Sequence, residues 1–223
     1  MTDHAGGTIT ALVAQKRNKS RVNVFIDETY AFSLSTIHAA RLHKGQQLGP
    51  GDIAQLERAD AVEVAYEKAL NLLSYRPRSE WEVRHRLTRN AKRKLPPDVL
   101  DDVVARLRRA GLLDDAEFAQ YWVSNRQQFK PRSKRALRYE LRGKGIQDAD
   151  IESALAALDE DDAAMRAAQK RVSRLAGLDK QTFTKRLGDF LARRGFDYEV
   201  SREVISRLWE SNVAGLNDDL DDA

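Results

Sequence analysis

Lys134, Arg138 and Arg142 stand at i, i+4 and i+8, with Arg135 three residues before Arg138. At helical spacing they share one flank while Leu137 and Leu141 point to a core. Arg86, Arg89 and Arg93 stand likewise beside Val83 and Leu87. A row of guanidinium and ammonium groups along a helix holds phosphates or carboxylates through charge-assisted hydrogen bonds. Residues 76–94 carry eight basic and two acidic side chains, and residues 126–144 carry eight basic ones against Glu140 alone. Residues 179–194 carry five against two, whereas 148–162 hold seven acids and no base. Charge is therefore segregated helix by helix. Such a row fits a phosphate backbone or an acidic protein groove, and the pattern leaves both open. It also fits plain solvated helix faces; recurrence at the same place in successive segments is what favours binding.

Other chemistry is missing its residues. The chain has no Cys, which excludes disulfides, thiolate metal sites and a Cys nucleophile. His4, His38, His43 and His85 show no i, i+4 pairing, so no metal site is expected. No phosphate-binding glycine loop and no Gly-x-Ser-x-Gly elbow occurs. Asp101-Asp102 and Asp114-Asp115 are adjacent acids that diverge by about 100° on a helix. Asp114-Asp115 reads better as a helix start. Trp81, Trp122 and Trp209 could stack on bases, though helical spacing assigns most aromatics to cores. Trp81 is the exception, because Arg135 and Lys185 hold its place in the later repeats.

The elements that carry these residues repeat. Pro77-Arg78-Ser79 opens a basic helix through Val83 and Leu87; Pro131-Arg132-Ser133 opens another through Leu137 and Leu141. A looser copy runs through Leu187 and Leu191. Each is followed by an amphipathic helix ending Val103-Val104-x-x-Leu107, Ala154-Leu155-x-x-Leu158 or Val204-Ile205-x-x-Leu208. A period near fifty residues reads as stacked units, each too small to bury its apolar face alone. Nine helices in three triplets are predicted from about Ala61 onward. Ahead of them, Thr8–Lys16, Arg21–Asp27 and Tyr30–Leu34 are β-branched and partly alternating, and read as a three-stranded meander. The boundaries follow: residues 1–60 a small β-rich domain, 61–113, 114–160 and 161–210 the three repeats, and 211–223 an acidic disordered tail. No apolar run reaches membrane-spanning length and no signal segment opens the chain, so a soluble cytoplasmic protein is expected.

The segment Gly111-Leu112-Leu113-Asp114-Asp115-Ala116-Glu117-Phe118-Ala119, followed by Trp122 and Arg126, resembles the bacterial RecX family. Lys144-Gly145-Ile146 with Ile151 and Ala154-Leu155 fits that family's second repeat. Leu72-Leu73-Ser74-x-Arg76-x-Arg78-Ser79, with Glu82 and Leu87, fits its first. The resemblance covers about residues 61–210 and is weaker in the third repeat. It implies three tandem three-helix repeats in an elongated, curved array. It also implies a non-enzymatic regulator of RecA, usually an inhibitor, that binds in the groove of the RecA–single-stranded-DNA filament and so acts on recombination, DNA repair and the SOS response.

The candidate contacts to RecA or nucleic acid are Arg84, Arg89, Arg93, Arg126, Arg132, Lys134, Arg135, Arg138, Arg142 and Lys144, with Lys185 and Arg193 supporting. They are expected to line up as one basic ribbon. A monomer needing no cofactor or metal is expected. The alternative is a helical module that binds DNA directly, without RecA.

Overall fold

A computed structural model describes residues 6–89 and 95–221. The chain divides into two compact units, Met1–Leu113 and Asp114–Ala223.

In the first unit, period-two alternation builds an antiparallel sheet. β1 (Gly7–Ala14), β2 (Arg21–Ile26) and β3 (Thr29–Ser35) bury Ile9, Val24, Ile26, Phe32 and Leu34 in one core. Asp27 and Glu28 join β2 to β3 with φ of 47° and 69°. Positive φ at both positions is the twist-matched geometry of a two-residue hairpin. The Asp27 carboxylate accepts from the Thr8 N–H at 3.1 Å, and the Thr10 hydroxyl accepts from the Glu28 N–H at 2.9 Å. A two-residue strand, β4 (Gln47–Leu48), pairs with β1 and gives the order β3-β2-β1-β4. The sequence pattern predicts only three strands, because two residues cannot display alternation. A short helix, α1 (Thr36–Ala39), follows β3.

α2 (Pro50–Tyr75) runs from the sheet core to the first helical core. Its N-terminal half buries Ile53 in the sheet core, and its C-terminal half buries Ala65 and Ala69 in the first helical core. Between them Asp60, only 6% exposed, accepts from the Ser35 N–H at 2.6 Å and pairs with Arg21 at 2.9 Å. The break predicted at residues 60 and 61 therefore falls inside one helix. Gly49, Pro50 and Asp52 start that helix, with the Asp52 carboxylate accepting from the Gly49 N–H at 2.8 Å, and no breaker follows until Arg76-Pro77. α3 (Glu80–Arg89) and α4 (Pro97–Arg109) complete the triplet over Val83, Leu87, Leu100, Val103, Val104 and Leu107.

The second unit holds six helices: α5 (Asp115–Phe129), α6 (Lys134–Arg142), α7 (Asp148–Leu155), α8 (Glu160–Val172), α9 (Lys180–Arg193) and α10 (Tyr198–Asp221). A single 3-10 turn, Ser173–Leu175, follows α8. One core runs from Phe118 to Ile205 and includes the fully buried Leu137, Leu141, Ile151, Phe183, Leu187 and Leu191. Each such side chain stabilises the unit by about 1.5–3 kcal/mol. The two repeats are also joined through their loops. The Ser133 N–H donates to the Arg194 carbonyl at 3.2 Å, and the Arg194 guanidinium donates to the Pro131 carbonyl at 2.9 Å. Gly195 has φ of 92°, and a Cβ there would stand 2.6 Å from Ser133 Oγ and 2.7 Å from Ala136 Cβ.

The class is as predicted: mostly α, with three tandem triplets (α2–α4, α5–α7, α8–α10) behind a small antiparallel sheet. α10 continues as helical backbone through Asp221, where a disordered segment is predicted from residue 211. No Pro interrupts this stretch, and Gly215 alone costs a helix only about 1 kcal/mol.

Candidate binding interface

The basic flank of α6 is fixed by what lies beneath it. The Ser133 hydroxyl caps the helix by accepting from the Ala136 N–H at 3.1 Å. Leu137 and Leu141 are fully buried, which turns Lys134, Arg135, Arg138 and Arg142 outward together. They do not form a bare stripe. Arg138 donates to both oxygens of Glu152, at 2.6 and 2.8 Å, and Arg142 donates to Asp148 at 2.8 Å. Both acids belong to α7, so the acidic third helix lies against the basic second one. These hydrogen bonds hold the Glu152 and Asp148 carboxyls below their ordinary range and raise the two arginines. Arg135 reaches the Gly195 carbonyl at 3.3 Å. The Lys134 side chain is in no ion pair among the described residues.

Arg126, Arg132 and Lys144 do different work. Glu140, with 15% of its side chain exposed, accepts from Trp122 Nε1 at 2.7 Å, from Arg126 at 2.8 Å and from Arg132 at 3.0 Å. The Arg126 guanidinium lies 4.3 Å and the Lys144 ammonium 4.0 Å from the Trp122 ring centre. Glu140 ties α5 to α6, and the cation–π contacts hold Arg126 and Lys144 on the Trp122 ring. Trp122 thus packs against the core, as its spacing predicts.

In the first unit Arg84 pairs with Glu80 at 2.7 Å and with Asp101 of α4 at 2.8 Å. Arg84 and Arg138 occupy the same repeat position, and so do Asp101 and Glu152. The same cross-helix ion pair is therefore built twice. The third repeat has Gly188 and Arg202 at those two positions and lacks it. Arg89 on α3 is exposed and in no ion pair among the described residues; Arg93 lies outside them. Lys185, Arg186 and Arg193 on α9 and Arg202 on α10 are exposed without an acid partner among the described residues. Lys185 and Arg186 line a shallow depression with Gln181, Thr182 and Asp189. Sequence reasoning misses Arg186 and Arg202. The signal for Arg202 is its repeat register, a base where the earlier repeats place an acid.

Among the described residues, no group of three or more His, Cys, Asp or Glu side chains is placed to hold a metal ion. No helix there is long and apolar enough to cross a membrane.

Four family models match the chain in order. They are the regulatory protein RecX N-terminal domain over residues 7–49, and the first, second and third three-helix domains of RecX over 65–107, 114–155 and 159–205. The regulatory protein RecX of Bacillus pumilus is 35% identical over 208 residues, covering 91% of this chain and 78% of that one. The chain belongs to the RecX family. The Bacillus subtilis member is 35% identical over 210 residues, 92% of this chain and 78% of its own. Among solved structures, a crystal structure of regulatory protein RecX superposes with a TM-score of 0.65 at 27% identity, over 88% of this chain and 98% of that one. RecX from Lactobacillus salivarius shares the fold, with a TM-score of 0.56 and 24% identity over 67% of this chain and 97% of that one. The family boundaries follow the triplets seen here, and its N-terminal domain covers β1 to β4. The relatives are named as regulatory proteins, so a regulatory role is the coarse functional assignment.

Proposed function

We propose that this chain is a non-enzymatic cytoplasmic regulator of RecA. It binds as a monomer in the groove of the RecA–single-stranded-DNA filament and inhibits it, and so tunes recombination, DNA repair and the SOS response. The observation that carries this reading is the recurrent pairing of Arg84 with Asp101 and of Arg138 with Glu152. In both pairs the acid is exposed and the arginine partly so, and ion pairs this open to water contribute little net stability. Each arginine can therefore exchange its own carboxylate for a partner's carboxylate or phosphate at small cost. The third repeat, with Lys185, Arg186, Arg193 and Arg202, presents cations that have no such partner among the described residues. Repeats tethered in one chain combine individually weak contacts through effective concentration.

RecA ATPase activity on single-stranded DNA, with this protein added before or after filament assembly, tests the reading. Inhibition in both orders supports binding to the filament. No effect in either order contradicts it. The second reading, DNA binding without RecA, rests on the exposed aromatic residues of the basic helices.

A further inference from the structure

Two positions on the middle helices of the first two repeats carry flat groups beside cations. In α3 the Trp81 and His85 rings stack at 5.0 Å between centres and 6° between planes. Trp81 is nonetheless 49% exposed. In α6 the same two positions hold Arg135 and Tyr139, and Tyr139 is 82% exposed. Neither ring contributes to a core: Val83, Leu87, Leu137 and Leu141 fill those. The acids near Trp81 are already engaged, Glu80 with Arg84 and Arg108 and Glu82 with Arg76. Arg86 and Arg89 are exposed and in no ion pair among the described residues. Tyr139 has Arg135 four residues before it and Arg142 three after.

From this recurrence we infer that the Trp81–His85 pair, and Tyr139 with Arg135, are stacking platforms for unpaired nucleobases of single-stranded DNA. A solvent-facing ring with a cation one helical turn away, Arg89 after His85 and Arg135 before Tyr139, is complementary to a base and the phosphate beside it. Lys185 and Asp189 hold the two positions in the third repeat and offer no ring. That repeat touches phosphate only. The inference deepens the DNA side of the proposed function and needs no RecA.

The test compares an oligothymidylate with an abasic single strand of equal length and charge, by anisotropy and without RecA. The wild type binds the oligothymidylate more tightly by about fivefold or more. Trp81→Ala removes most of that gap and leaves abasic binding unchanged; Tyr139→Ala narrows it, and Asp189→Ala does not. Trp81→Phe keeps the helix aromatic there and retains part of the gap, but loses the tryptophan quenching that oligothymidylate produces in the wild type. Equal binding of the two strands by the wild type, or no binding of either, overturns the inference. So does a Trp81→Ala variant that keeps the gap while losing its effect on the RecA filament, which places a protein surface on Trp81 instead. Because no arm of the binding assay contains RecA, its failure leaves the filament reading to be judged separately.

Discussion

Arg138 on α6 donates through two nitrogens to Glu152 on α7, at 2.6 and 2.8 Å, and one triplet earlier Arg84 on α3 reaches Asp101 on α4 through one, at 2.8 Å. Each pair joins the basic helix of its triplet to the helix that follows. The arginines that best suit a partner are thus pre-oriented by the protein's own carboxylates, which lowers the side-chain entropy lost on binding.

Reversing the pair separates its structural role from its binding role. Arg138→Glu alone sets two carboxylates against each other and lowers the melting temperature by a few degrees. Adding Glu152→Arg recovers most of that loss. The proposed inhibition of RecA is not recovered, because the cation then sits on the other helix. Thermal melting and ATPase assays on the single and double variants check this.

Neutralising the screening acids, Asp148→Asn with Glu152→Gln, frees Arg142 and Arg138. Affinity for single-stranded DNA rises a few-fold at low salt. The slope of log affinity against log salt steepens by about 0.7 for each phosphate gained. Titrations over a range of salt concentrations read both quantities.

Acid weakens the fold, and the sign follows from the shifts. Asp148 and Glu152 are depressed by hydrogen bonds from Arg142 and Arg138, Asp98 by one from Arg58, and Asp179 by the Thr182 N–H that it caps. A depressed folded-state pKa stabilises above the unfolded value, about 4 for carboxylates, and that contribution is lost as pH falls through the folded value. Stability is therefore flat near neutrality and declines below about pH 4. In the Asp148→Asn, Glu152→Gln variant the decline is shallower, as melting curves against pH will show.

Two substitutions in the second unit act on structure alone. Gly195→Ala puts a Cβ into Ser133 and Ala136 at a positive φ and costs about 1–3 kcal/mol. Glu140→Ala strips Trp122, Arg126 and Arg132 of their shared acceptor and costs about 2–4 kcal/mol. Denaturant unfolding of each variant measures these losses.

How much of this is readable in the sequence differs by element. The triplets are legible because Leu137 and Leu141, and their counterparts in the other repeats, recur with a helical period. The caps at Asp114 and Ser133 are legible from residue type alone. β4 is not, since two residues carry no period. Gly49-Pro50-Gly51-Asp52 is legible as punctuation after which a helix starts; that the same helix runs on past residue 60 is not, because its buried face passes there from the sheet core to the helical core. The ion pairs between α6 and α7 depend on helix packing, which periodicity does not encode. Their trace is only that Asp101 and Glu152 share a repeat position. Arg126, Arg132 and Lys144 read as surface charge because nothing local shows that Glu140 and Trp122 gather them.

The most direct test of the central claim is RecA ATPase on single-stranded DNA in the presence of the Arg135→Glu, Arg138→Glu, Arg142→Glu variant, with helicity verified by circular dichroism. The account predicts that inhibition is lost while the helical signal stays. Undiminished inhibition by the folded variant would contradict it.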